Sequence, residues 1–157
     1  MKLNGAVNVS APREEVWQLF MDPTQLCRVV PGCEQAQRVD DTHYEALLAV
    51  KIQFMTIRAR AHGTLLEARE PDHLVAEMVG EPLAMAGAFR AHLVVDLIPT
   101  PLTGGTEVRY TIELSMLGRL ASLGEAIIRA TANRLASQFA ANVAQLFSAQ
   151  AQEPGQR

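Results

Sequence analysis

Few residues in this chain are of a type that does chemistry. Four histidines, His43, His62, His73 and His92, are the candidates for a metal site or an acid–base centre. A ligand set needs such side chains to converge on one buried face. His62 and His92 fall on the polar side of alternating text, and His43 and His73 sit beside turn signals, so all four are expected at the surface. The two cysteines, Cys27 and Cys33, form no disulfide framework and match no zinc spacing. Cys33 follows Pro31-Gly32 and reads as a small buried residue at a tight turn; Cys27 beside Leu26 reads as packing. A reactive thiol would need a cation or a helix N-terminus beside it. The carboxylate pairs Glu14-Glu15 and Asp40-Asp41 fall at a helix start and a turn, solvent positions ill suited to acid–base work. There is no glycine-rich phosphate loop, no Gly-x-Ser-x-Gly elbow and no His-Glu-x-x-His helix. Gly104-Gly105 reads as a hairpin turn. No catalytic residue, metal ligand or cofactor is assigned.

What remains is apolar. Met55, Met78, Met85 and Met116 fall near strand ends or loops, with Phe54 and Phe89 close to two of them. Flexible thioethers suit an adaptable apolar site, and the competing reading is ordinary core filling. The segment from Glu81 to Gly87 has little charge and several small apolar residues. It reads as a gate, a contact patch or a plain connector. Arg58, Arg60 and Arg90 make a positive outer stripe, either a solvated face or a dock for an acidic partner.

These residues need elements to hold them. The chain has 157 residues, a formal charge of -3, 48% hydrophobic and 20% charged residues. That composition is globular, and it lacks the basic excess of a nucleic-acid binder. One domain over 1–150 with a flexible tail at 151–157 is expected. The N-terminus lacks the apolar core of a signal peptide, and polar residues interrupt the uncharged stretch 135–152, so a cytoplasmic, reduced location is expected. Leu3, Gly5, Val7 and Val9 alternate with polar or small residues as a half-buried strand does. Ser10 is the expected N-cap of a helix carrying Val16, Trp17, Leu19 and Phe20, and Asp22-Pro23 stops it and opens a second short helix. Strands are expected at 34–39, 43–53, 56–68, 73–80, 86–98 and 106–116. Within them Ile57, Ala59, Ala61, Gly63 and Leu65 form one apolar face. So do Phe89, Ala91, Leu93, Val95 and Leu97, and again Val108, Tyr110, Ile112 and Leu114. From Leu117 to Ala149 the text is a long amphipathic helix.

A one-sided sheet needs a cover, and the final helix is the only long amphipathic one. The sheet is therefore expected to curve around that helix. Small inward residues such as Ala59, Ala61, Gly63 and Ala91 leave space at one end of the helix. The residues expected to line that space are Phe54, Met55, Met85, Phe89, Tyr110, Met116, Leu120, Leu123, Ile127 and Thr131. Tyr110 is the expected polar contact.

The order of elements, with Met1-Lys2-Leu3-Asn4-Gly5, Ala11-Pro12 before Val16-Trp17, Asp22-Pro23, Leu26 and Pro31-Gly32-Cys33-Glu34, resembles the G-subunit family of carbon monoxide dehydrogenase. That family lies in the START-like, or SRPBCC, helix-grip superfamily. The resemblance implies an α+β helix-grip fold: a seven-stranded curved antiparallel sheet wrapped around a long C-terminal helix, two short helices after strand 1, and a deep hydrophobic cavity. It implies an accessory role, not an enzymatic one, beside a molybdenum-containing carbon monoxide dehydrogenase or related hydroxylase. The implied partners are the dehydrogenase subunits and a hydrophobic small molecule, a quinone or lipid, at the inner face of the cytoplasmic membrane. Longer members carry an extended C-terminal region, whereas this sequence ends Glu153-Pro154-Gly155-Gln156-Arg157, so transient membrane contact is expected in place of an anchor. The leading expectation is a non-catalytic carrier of an elongated apolar molecule, and two alternatives stand beside it: a polyketide cyclase-like enzyme, which would need an inward acid or base, and a pure assembly factor with no ligand.

Overall fold

The computed structural model describes residues 1–152, with side chains to Ser148; of the tail expected at 151–157, residues 153–157 lie outside the described residues. The chain opens with strand β1 (Lys2–Val9), followed by helices α1 (Arg13–Met21) and α2 (Pro23–Val29). Six strands follow: β2 (Cys33–Arg38), β3 (His43–Ile52), β4 (Met55–Arg69), β5 (His73–Pro82), β6 (Gly87–Thr100) and β7 (Gly105–Gly118). A 3-10 turn at Ala121–Leu123 leads into helix α3 (Glu125–Gln152). The strands form one seven-stranded antiparallel sheet in the order β1-β7-β6-β5-β4-β3-β2. This is the α+β helix-grip arrangement.

Local signals explain most element ends. Asp22 closes α1 and caps α2, its carboxylate accepting from the Thr24 and Gln25 amides at 3.0 and 3.3 Å, with Pro23 in the first turn. Ser10 does not cap α1. The cap position is Pro12, which offers no side-chain acceptor, so the first turn relies on acidic Glu14 and Glu15 at the positive helix end. The final helix starts later than its apolar text. Leu117 pairs with Ala88 and Gly118 with Gly87, which prolongs β7. Gly118 (φ 65°) and Gly124 (φ 94°) then adopt positive φ, readily accessible to glycine, and separate strand from helix.

The register fixes which side chains face α3. Rows such as Val50–Ile57, Leu48–Ala59–Pro82 and Ala46–Ala61–Gly80–Phe89–Met116 run across the inner face. The alternation read from the sequence in β4, β6 and β7 has the same parity. The main core sits at one end. There Val16, Trp17 and Leu19 of α1 and Val29 of α2 pack against Leu74, Val95, Leu97 and Val108 of the sheet, with Val143 and Phe147 of α3. The Asn142 side chain donates to the Val29 carbonyl at 3.0 Å and ties α3 to α2.

The cysteines depart from expectation. Cys27 and Cys33 are joined in a disulfide, with their Cα atoms 5.3 Å apart. The last turn of α2 and the Pro31-Gly32 turn fold the chain back, so positions that spacing alone leaves unrelated come within bridging range. Cys33 is half-buried, not buried. Gly32 makes the turn, with φ 81°, and its carbonyl accepts from the Ala49 amide of β3 at 2.7 Å. A side chain there would meet the Ala49 carbonyl oxygen. Gly32→Ala is therefore expected to cost about 2 kcal/mol or more. A lowered thermal midpoint by circular dichroism checks this, and an unchanged midpoint contradicts it.

Candidate functional site

The inner face has two halves with different burial. At the end closed by α1 and α2, inward residues are almost fully covered: Leu74 is 3% exposed, and Val95, Leu97 and Val108 are each 2% exposed. Toward the β3–β4 and β5–β6 turns burial is mixed: Ile52, Ala59 and Ala61 are buried, while Leu48, Ile57, Phe89, Ala91, Leu114 and Met116 are half-covered. Met78 lies between Gly63 and Ala91 on the same inner row, yet is 38% exposed. In helix α3, Val143 and Phe147 of the second half are buried; in the first half Ile128 is buried, while Ile127, Thr131 and Leu135 are partly exposed. The Arg134 guanidinium donates to the Lys51 carbonyl, holding this half of the helix to the end of β3. The inner face is thus packed at the α1–α2 end and keeps several partly exposed apolar side chains at the other.

Two aromatic rings lie over glycines on this surface. A side chain at Gly5 would run into the Tyr110 ring, and one at Gly80 into the Phe89 ring. Each aromatic leans over a glycine on the neighbouring strand, where the missing side chain leaves it room. The inward positions of β3 to β7 carry no carboxylate and no imidazole; Tyr44, Tyr110 and Thr106 are their polar members, and the Thr106 hydroxyl is spent on the Ala11 carbonyl at 2.7 Å.

The ten residues read as site-forming are distributed as follows. Phe89 and Met116 are cross-strand neighbours in the open half, and Tyr110 pairs with Val95 and Gly5 nearer the core. Leu120 is buried, and Leu123 belongs to the 3-10 turn, so both lie before α3 and not on it. Ile127 and Thr131 lie in the first half of α3. Met85 sits half-buried in the β5–β6 connection. Phe54 and Met55 are at the β3–β4 turn, Phe54 fully exposed and Met55 44% exposed. The inner row adds Ala91 and Leu114, which the alternation places inward, and Met78, one of the four methionines read as suited to an apolar site, although β5 has apolar residues on both faces and alternation alone does not orient it.

The four histidines lie off the inner face of the sheet. His43, His62 and His92 are surface residues near Asp40, Glu45 and Glu77. His73 is a correction: its side chain is only 15% exposed, its Nδ1 2.6 Å from Asp96 and its Nε2 3.4 Å from Glu67. It is covered because Glu67 of β4 and Asp96 of β6 flank it from the strands on either side. The backbone amide of Thr42, and then the His43 side chain, hold the Asp40 carboxyl below its ordinary value; this belongs to a turn. Two depressions lie on the outer face, about 170 Å3 beside Gln37 and Arg60 and about 400 Å3 beside Arg90 and His92. Among the described residues no group of His, Cys, Asp and Glu could hold a metal ion, and no helix is long and apolar enough to cross a membrane.

The family model for the G-subunit of carbon monoxide dehydrogenase, CoxG, matches residues 5–148. The chain belongs to the CoxG family. Among solved structures, this CoxG family member is similar to a conserved protein from Geobacillus kaustophilus, at 25% identity and TM-score 0.84, over 94% of this chain and 95% of the other. It is similar to a Mycobacterium smegmatis protein at 17% identity and TM-score 0.69, over 95% and 92% of the two chains. It is also similar to an aromatase/cyclase from Streptomyces sp. R1128, at 13% identity and TM-score 0.73, over 99% and 98%. At that identity the last two likenesses speak for the fold alone. No curated protein sequence matches the chain significantly.

Proposed function

We propose that this CoxG family member is a non-catalytic carrier, which takes an elongated apolar molecule into the cleft between its sheet and the first half of α3. The observation that carries this is the uneven burial of the inner face: several inward apolar side chains, Met78 foremost, stay partly open to solvent beside a well-packed core. A globular domain that leaves such surface uncovered is set up to bury it against something else. Every ~100 Å2 of apolar ligand surface taken from water contributes about 2.5 kcal/mol before ordering costs. A prenylated quinone is the first candidate, its tail along the methionine-lined cleft and a ring oxygen accepting from the Tyr110 hydroxyl. The family suggests the user of that molecule, a molybdenum-containing carbon monoxide dehydrogenase or related hydroxylase in the cytoplasm. Phe54, Leu83 and Leu117, exposed at the same end of the sheet, support transient contact with the inner face of the membrane. A cyclase-like reaction has less support, because the inward strand positions offer no carboxylate or imidazole for acid–base work.

The test is organic extraction and mass spectrometry of protein incubated with bacterial membranes. A quinone or lipid should be recovered above the level of a control protein, and none recovered defeats the proposal. Ile127→Trp should cut the occupancy several-fold; equal occupancy removes Ile127 from the site.

A further inference from the structure

We infer that the Cys27–Cys33 pair is a redox-responsive clasp on α2, which sets how firmly the closed end of the cleft is held; the part concerning the cleft rests on the carrier reading. The bond joins the last turn of α2 to the first residue of β2. Both cysteines are half-buried, so an external thiol reaches them without unfolding the protein. The chain has no third cysteine, so within the chain each has only the other as partner. In a reducing compartment disulfides of this kind are transient and sensing more often than structural. Between the two cysteines lies Val29, 2% exposed in the main core, with its carbonyl bound by Asn142 of α3. The clasp therefore bears on the residue through which α2 touches both sheet and helix.

The chemistry is a two-electron exchange. A thiolate of an external dithiol attacks one sulfur of the pair, and the other sulfur leaves as a thiolate and takes up a proton. The second thiol of the donor then displaces the mixed disulfide. Cys27 and Cys33 end as two thiols, and the donor ends as a disulfide. In the reduced form the turn at Val30–Cys33 keeps its hydrogen bonds but loses its covalent closure, so α2 opens more often.

The experiment compares the full chain held oxidised with the same chain in dithiothreitol, the thiol state being read by alkylation and mass. Hydrogen exchange of peptides spanning 22–33 should quicken about tenfold on reduction, while β6 and β7 hold their rates. Dissociation of the uncharged apolar dye N-phenylnaphthylamine should quicken about threefold. A variant with both Cys27→Ser and Cys33→Ser should behave as the reduced protein and ignore dithiothreitol. Equal exchange in the two states, an equal response in the double variant, or thiols that never pair under oxidised glutathione each overturn the clasp. If the double variant fails to fold, the oxidised and reduced wild-type comparison still decides. Absence of dye binding removes only the carrier reading, since the exchange measurement does not depend on it.

Discussion

Replacing Trp17 with alanine is expected to remove about 3–5 kcal/mol of stability, the largest loss from any single side chain of the closed end. Trp17 is 3% exposed and sits in α1 within the cluster that joins Val29, Val95, Leu97, Val108, Val143 and Phe147. Three layers meet there: the two short helices, the sheet and the second half of α3. Truncation leaves a cavity that no neighbour can fill, because Val95, Val108 and Val143 are themselves fully buried and cannot swing toward it. For a chain of this size the thermal midpoint should fall by on the order of 10 °C. Trp17→Phe keeps much of the volume and should cost clearly less. Circular dichroism gives the readout, since the variants lack the tryptophan whose fluorescence would otherwise report unfolding. A fall of under about 2 °C for the alanine variant would mean that the core does not depend on α1.

Much of this fold is legible in the sequence because its signals are local. The period of two in β4, β6 and β7 assigns Ala61, Phe89 and Ile112 to the inner face from neighbouring residues alone, and the register agrees. Asp22-Pro23 marks a helix boundary by its own chemistry. The readings that failed depend on partners far along the chain. Leu117 and Gly118 look like the start of a helix until Ala88 and Gly87 pair with them. Cys27 and Cys33 look unrelated until the Gly32 turn brings them together. His73 looks like a turn residue until Glu67 and Asp96 cover it. The candidate site has the same divide. Phe89 and Tyr110 are placed by alternation, whereas Phe54 counts as site-forming only for lying near a strand end, and the β3–β4 turn carries it into solvent. Met78 is named from the sequence for its thioether alone: β5 reads Leu74-Val75-Ala76 with apolar residues on both faces, so only pairing with Gly63 and Ala91 shows which way it points.

Ala91→Trp distinguishes an open cleft from a filled one, and its two readouts should move apart. Ala91 faces inward between Met78 on β5 and Leu114 on β7, with Phe89 and Leu93 above and below it on the same strand. All four neighbours keep some exposure, as the proposed open cleft requires. On that reading an indole placed there enters solvent and meets flexible Met78 before any rigid group. The folded state should therefore keep its thermal midpoint to within about 3 °C. Binding of N-phenylnaphthylamine should weaken about tenfold, because the indole occupies the surface that the guest would cover. In a solid interior the same substitution overpacks and costs about 1–3 kcal/mol or more, with backbone shifts in β6. Lost stability with unchanged dye affinity would place the guest elsewhere. Retained stability with lost affinity follows only if the sheet and the first half of α3 hold between them a volume that the chain's own side chains leave unoccupied.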